Sequence, residues 1–228
     1  MPTHDAHLPK AAKPRPVRPR DAATLILVDR SAAKPFILMG RRPARSKFLP
    51  DAYVFPGGAV EPQDRVAGVA RGLAPAVIET LCVAGDARRA HGLAVAAVRE
   101  TFEETGLLIA GPGNVGAIEG PTWQALRDRS LAPDLGSLAY FARAITPTHM
   151  HKRFHARFFI ADANETSGDV TSNGELLDLH WVSLDQAGDL PTVDVTRFIL
   201  AELRRHLAGQ SPAKRPLWTF RDGKEVIR

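Results

Sequence analysis

The 228-residue sequence has a single cysteine, Cys82. One thiol cannot close an intramolecular disulfide, so the fold must hold without such cross-links and suits a reducing compartment. Cys82 itself reads as a small buried hydrophobe. Long apolar runs are also missing. No stretch approaches the roughly 20 apolar residues that cross a bilayer as a helix, and the N-terminus lacks the apolar core of a secretory signal. A cytoplasmic protein that does not engage membranes is expected. Internal repeats are absent too. With 44% hydrophobic and 24% charged residues, the chain can bury the core of one domain of ordinary size.

The net charge of +5 invites a nucleic-acid reading, but its distribution argues against one. Residues 1–20 hold Lys10, Lys13, Arg15, Arg18 and Arg20 against Asp5 alone, which leaves the rest of the chain nearly neutral. Pro2, Pro9, Pro14, Pro16 and Pro19 keep this leader extended and solvated. A domain over residues 21–210 is expected to follow. The closing residues 211–228 contain "LWTFRDGKEVIR", where Asp222-Gly223 between two β-like runs signals a hairpin.

"ATLILVD" and "PFILMG" read as neighbouring strands, and "AYVF" leads into a Pro-Gly-Gly break at 56–58. "HGLAVAAVRETFEETG" reads as a helix closed by Gly106. "LAYFARAIT", "HARFFIA" and "LDLHWV" read as strands, and "VDVTRFILAELRRHLA" as an amphipathic helix with Val195, Phe198, Ile199 and Leu203 inward. The fold class is therefore mixed α/β.

On the first of these helices, Glu100, Glu103 and Glu104 share a face about 100° wide, with Val95, Val98 and Phe102 opposite. Clustered carboxylates repel one another unless a cation sits among them. Arg99 can serve Glu103 at i,i+4, which leaves Glu100 and Glu104 needing positive charge. All-oxygen sites of this kind suit Mg²⁺ or Mn²⁺. Gly57 and Gly58 lack side chains, so their backbone can approach a ligand closely. By contrast, His149, His151 and His155 in "HMHKRFH" have neither a cysteine partner nor a usual zinc spacing.

"FPGG" together with "RETFEETG" resembles the Nudix box, G-x5-E-x7-R-E-U-x-E-E-x-G-U, where U is apolar. Asp64 stands at the position of the first Glu, Thr101 replaces an apolar residue, and residues 65–91 form an insertion within the box. That insertion is expected to bulge as a loop between the turn and the helix. The resemblance implies a Nudix-type α/β/α sandwich with a mixed sheet. It also implies a metal-dependent hydrolase of nucleoside diphosphates linked to another moiety. Glu100, Glu103, Glu104 and the Gly57 carbonyl would hold the metal, and Arg99 would orient Glu103. Gly58 and Asp64 would be structural. The family pattern places a further carboxylate six residues before Trp181, at Glu175, as ligand or base; Asp162, Glu165 and Asp169 are the reserves.

A branch resembling the peroxisomal coenzyme A diphosphatases carries an insertion at this place. Its upstream signature, LLTxR[SA]x3Rx3Gx3FPGG, falls on Leu38, Met39, Gly40, Arg42, Pro43, Lys47 and Asp51. Leu38 and Arg42 match, and Lys47 keeps the charge; Gly40, Pro43 and Asp51 depart, the last adding a negative charge beside a polyanionic ligand. Arg41, Arg42, Lys47 and Arg153, with Arg157, are candidate diphosphate contacts. The expected partner is a small nucleotide-containing diphosphate, either coenzyme A or an acyl ester, or a nucleotide sugar or dinucleotide, with no nucleic acid and no membrane. A homodimer is compatible with the sequence. A nucleotide-sensing module without turnover is the alternative, against which stand the three retained carboxylates and Arg99.

Overall fold

The computed structural model describes residues 17–81, 86–210, 214–221 and 224–227. Cys82, most of the basic leader and the Asp222-Gly223 turn lie outside them. Eleven strands and five helices follow in order. They are β1 (Arg20–Asp29), β2 (Phe36–Arg41), β3 (Tyr53–Val54), β4 (Gly57–Ala59), α1 (Pro75–Leu81), α2 (Ala87–Thr105), β5 (Ala110–Pro112) and α3 (Pro121–Asp128). Then come β6 (Leu131–Pro133), β7 (Ala139–Ile145), β8 (Phe154–Asp162), β9 (Leu177–Ser183), α4 (Leu184–Asp189), α5 (Asp194–Leu207), β10 (Leu217–Arg221) and β11 (Lys224–Ile227).

Nine strands form one mixed sheet in the order β11-β10-β7-β8-β1-β2-β3, with β4 also paired to β1 and β9 to β2. β1 runs parallel to β8, and β7 parallel to β10, while the remaining pairs are antiparallel. β1 alternates between the two faces, as period-two geometry requires. Ala23, Leu25 and Leu27 enter a core with α1, α2 and α3, whereas Ile26 and Val28 enter a second core with α4 and α5. Phe198, Ile199 and Leu203 are buried in that second core and Val195 packs at its margin. Among the described residues, no helix is long and apolar enough to cross a membrane.

α2 is enclosed on almost its whole circumference. From Leu93 to Val98 no residue is more than 1% exposed. Its many alanines permit this, because small side chains let the sheet approach on one side and other segments on the other. Asp86 caps the start, accepting from Arg89 N at 3.1 Å, and Gly106 ends the helix in the left-handed region at φ 75°.

The described residues of 65–91, expected to bulge as a loop between the turn and the helix, instead pack into the domain. Ala67, Leu73, Leu81 and Ala90 are buried in the α2 core, with Val69, Ala70, Val77 and Ile78 packed against it. Gly68 N donates to Val115 O at 3.0 Å, and Ala70 N to Pro133 O at 2.9 Å. Arg71 forms an ion pair with Asp134 at 2.7 Å. The physical reason is apolar content: these side chains gain more from covering α2 than from remaining in water. Residues 87–91 themselves extend α2 by more than a turn. Leu81→Ala should therefore cost about 2–5 kcal/mol in urea unfolding, whereas a solvated bulge would register no more than about 0.5 kcal/mol.

Candidate functional site

The site forms where β4 meets the C-terminal half of α2. β4 is held on β1 through the pairs Thr24–Gly57, Ala23–Gly58 and Ala22–Ala59. A side chain at Gly57 would strike Ala23 O at 2.4 Å, and one at Gly58 would strike the Glu100 carboxylate at 2.3 Å. Glycine is thus needed at Gly57 for β4 to lie against β1, and at Gly58 it leaves room for the Glu100 carboxylate as placed. Gly57 N donates to Glu104 Oε2 at 2.8 Å.

Arg99 lies at the centre, 4% exposed. Its Nε and Nη2 donate to the Asp64 carboxylate at 2.8 and 3.0 Å, and Nη2 also reaches Ala59 O at 3.2 Å. Nη1 donates to Glu103 Oε2 at 2.9 Å, and Nη2 lies 3.0 Å from Glu100 Oε1. Asp64 is fully buried and accepts from Glu61 N at 2.7 Å, so it closes its own loop as well as gripping Arg99. The two fragments of the box, 35 residues apart in sequence, are one structure. Although burial opposes its charge, its carboxylate partners hold the Arg99 guanidinium firmly protonated.

The three carboxylates differ in exposure, with the Glu103 side chain 32% exposed. Glu104 is 3% exposed. Burial foremost, with the nearby Glu100 and Glu175 charges, pushes it up to about 8, against the opposing pull of the Gly57 N–H and Arg42. Burial likewise raises Glu100 to about 7, with Glu103 adding to the rise and Arg99 opposing it. Glu103 has Arg99 on one oxygen and, on the other, the Thr122 hydroxyl of α3 at 2.6 Å. Nothing in the sequence linked Thr122 to this site.

Glu175 lies in an exposed loop close enough to Glu104 to raise its pKa. That loop is brought across the end of α2 by Thr171 N donating to Thr105 O at 2.8 Å and by Leu108 bridging to Ser167. Of the reserves, Asp162 is ion-paired with Arg30 at 2.5 Å, while Glu165 and Asp169 are exposed. Arg42 is held by Phe48 O at 2.9 Å and acts on Glu104 electrostatically. Lys47 is exposed, and Arg41 forms an ion pair with Asp51 at 3.0 Å.

Arg153 is not brought to the cluster. It is buried and donates to Thr146 O at 3.0 Å and Val17 O at 2.6 Å, beyond the start of β1 and five strand positions from Phe158, the partner of Thr24, roughly 17 Å. Arg157 is 1% exposed and turns to Asp21 at 3.4 Å, where Arg89 and Arg65 also converge. His149 and His151 are exposed in the β7–β8 connection. His155 is held neutral, its pKa lowered to about 3 by burial first and then by Arg157, Arg143 and Arg89. Among the described residues, no group of three or more His, Cys, Asp or Glu side chains is gathered as a ready-made metal site. The three box glutamates are instead engaged by Arg99, Thr122 and Gly57 N.

A mixed sheet between two helical layers, with a glycine turn locked against a helix rich in carboxylates, places the chain in the α/β class. A NUDIX hydrolase from Alicyclobacillus acidocaldarius is 30% identical, with a TM-score of 0.61 over 82% of this chain and 91% of that one. "Putative nudix hydrolase 7" of Caenorhabditis elegans is 25% identical over 181 residues, which are 75% of this chain. The chain spans about half the length of that curated relative, 53%. No family model matches the chain. The chain belongs to the Nudix hydrolases and is an enzyme of that family.

Two outcomes follow from this geometry. Asp64→Asn leaves Arg99 buried with too little counter-charge and should destabilise the protein by about 3–5 kcal/mol in denaturant titration. The raised Glu100 and Glu104 values mean that the folded state binds protons more tightly than the unfolded one. Their contribution to stability is complete below the ordinary carboxylate value of 4.5 and is lost as pH rises through about 7 to 8. In chelator, melting temperatures of wild type and Glu104→Gln should therefore diverge between these limits, the variant gaining relative to wild type as pH increases.

Proposed function

We propose that this Nudix hydrolase cleaves, with a divalent cation, the diphosphate bond of a nucleoside diphosphate linked to another moiety, and that coenzyme A or an acyl ester is its preferred substrate. The observation that carries the reading is the close set of Glu100, Glu103 and Glu104, two of them too buried to ionise easily without positive charge. Their donors are all oxygen, which fits Mg²⁺ or Mn²⁺. Glu100, Glu103, Glu104 and the Gly57 carbonyl would hold the ion. Bound there, it would neutralise charge on the phosphate oxygens and make water a better nucleophile.

The chain's own residues have distinct tasks in this reading. Arg99 and Asp64 hold the helix to the glycine turn and keep Glu103 oriented. Glu175, in its exposed loop, accepts a proton from the attacking water or adds a ligand. Arg42, whose charge already acts on Glu104, would neutralise the diphosphate, with Lys47 as a further contact. Support for coenzyme A comes from the upstream segment. The unfavourable charge expected of Asp51 is met by Arg41, so the departure there costs less than the bare sequence implied.

Glu104→Gln should remove most Mg²⁺-dependent turnover and shrink the Mg²⁺-induced rise in melting temperature seen in wild type. Chromatography of the products then tests the substrate: coenzyme A should yield 3′,5′-ADP and a 4′-phosphopantetheine product. Intact coenzyme A beside a cleaved nucleotide sugar or dinucleotide would remove the coenzyme A assignment. Unchanged turnover in Glu104→Gln would remove the metal site itself.

A further inference from the structure

Glu103 differs from its two neighbours in what holds it. Among the described residues, the hydrogen bonds and ion pairs of Glu100 and Glu104 run to the box and its glycine turn, through Arg99 and the Gly57 N–H. Glu103 places Oε2 on Arg99 at 2.9 Å and Oε1 on the hydroxyl of Thr122 at 2.6 Å, a residue 19 positions further along the chain. We infer that Thr122 is a positioning residue of this enzyme, setting the direction in which the Glu103 carboxylate presents its remaining lone pairs. This rests on the proposed metal-dependent reading of the same site.

The local structure is built to fix that hydroxyl. Gly120 turns the chain at φ 126°, and Pro121 opens α3 in its first turn, where a missing N–H costs nothing. Thr122 follows, 7% exposed, and Trp123 and Leu126 bury 97% and 98% of their surface in the α2 core. A helix anchored by two such side chains cannot carry its first turn away from Glu103 without opening that core. Its N-terminal backbone amides also place partial positive charge beside the carboxylate.

A glutamate side chain has three rotatable bonds, and one charged partner leaves it free to swing about that contact. With Arg99 alone, Glu103 could turn about that contact, because its side chain is about a third exposed. The Thr122 hydroxyl takes the opposite oxygen and resists that motion. Partners of this kind typically change metal affinity or activity by about 10–100-fold when removed.

The test compares Thr122→Val, which keeps the shape and deletes the hydroxyl, with Thr122→Ser, which keeps the hydroxyl. Mg²⁺ and Mn²⁺ binding is read by calorimetry and by melting-temperature titration, and turnover separately, on the full chain. Thr122→Val should raise the half-saturating Mg²⁺ concentration and lower kcat by about 10-fold or more, with KM for the diphosphate substrate little changed. Thr122→Ser should restore both. Wild-type metal binding and turnover in Thr122→Val would overturn the assignment, as would a Thr122→Ser variant as impaired as the valine. Those outcomes leave the proposed function standing, because wild type still binds metal and turns over. A wild-type protein that neither binds the ions nor hydrolyses any diphosphate substrate removes both.

Discussion

The Arg99–Asp64 pair is the contact on which the site depends. A guanidinium and a carboxylate, both nearly or wholly buried, meet through two parallel hydrogen bonds at 2.8 and 3.0 Å. Neither could remain there alone, since removing either leaves an uncompensated charge away from water. The planar fork of arginine also has donors to spare, and they reach Ala59, Glu103 and Glu100. One side chain thus ties together the turn after β4, the helix and two of the three acidic groups. The glutamates can be crowded because the frame that crowds them is locked by this pair.

That frame includes the residues inserted between the two halves of the box. The segment returns to the domain, placing Leu73, Leu81 and Ala67 in the core that α2 shares with the sheet. Gly92 shows how close the approach is, since a side chain there would meet Arg65 Cγ at 2.9 Å. Burial around Glu100 and Glu104 raises the cost of ionising them by keeping water away.

The basic residues near β1 have different occupations. Arg42 acts on Glu104, whereas Arg153 holds backbone carbonyls beyond the start of β1 and Arg157 turns to Asp21. Register does not separate Arg157 from the glycine turn, because it pairs with Ala23, which pairs with Gly58 on its other side. Its ion pair with Asp21 does. Charge and position in a strand do not say which partner a buried arginine will take.

Much was legible in the chain itself because it depends on local rules. The strands at 23–29, 155–161 and 177–182 follow from branched apolar runs, α2 from its alanines and its Gly106 cap, and α5 from its spacing. Gly57, Gly58 and the carboxylate face of α2 follow from residue chemistry and helical period. The short elements β4, β5, β6, α1, α3 and α4 were not legible, since three to eight residues carry too little pattern to compete with turn or loop. Contacts between distant residues required the folded chain: Asp64 on Arg99, Thr122 on Glu103, the loop carrying Glu175 across the end of α2, and Arg41 on Asp51. By itself, the sequence determined which residues could bear the chemistry, because side-chain type and helical spacing are local properties. Only the tertiary structure decided which carboxylates would be buried, which arginines would be occupied and which hydroxyl would face Glu103, because each depends on what packing brings from elsewhere in the chain.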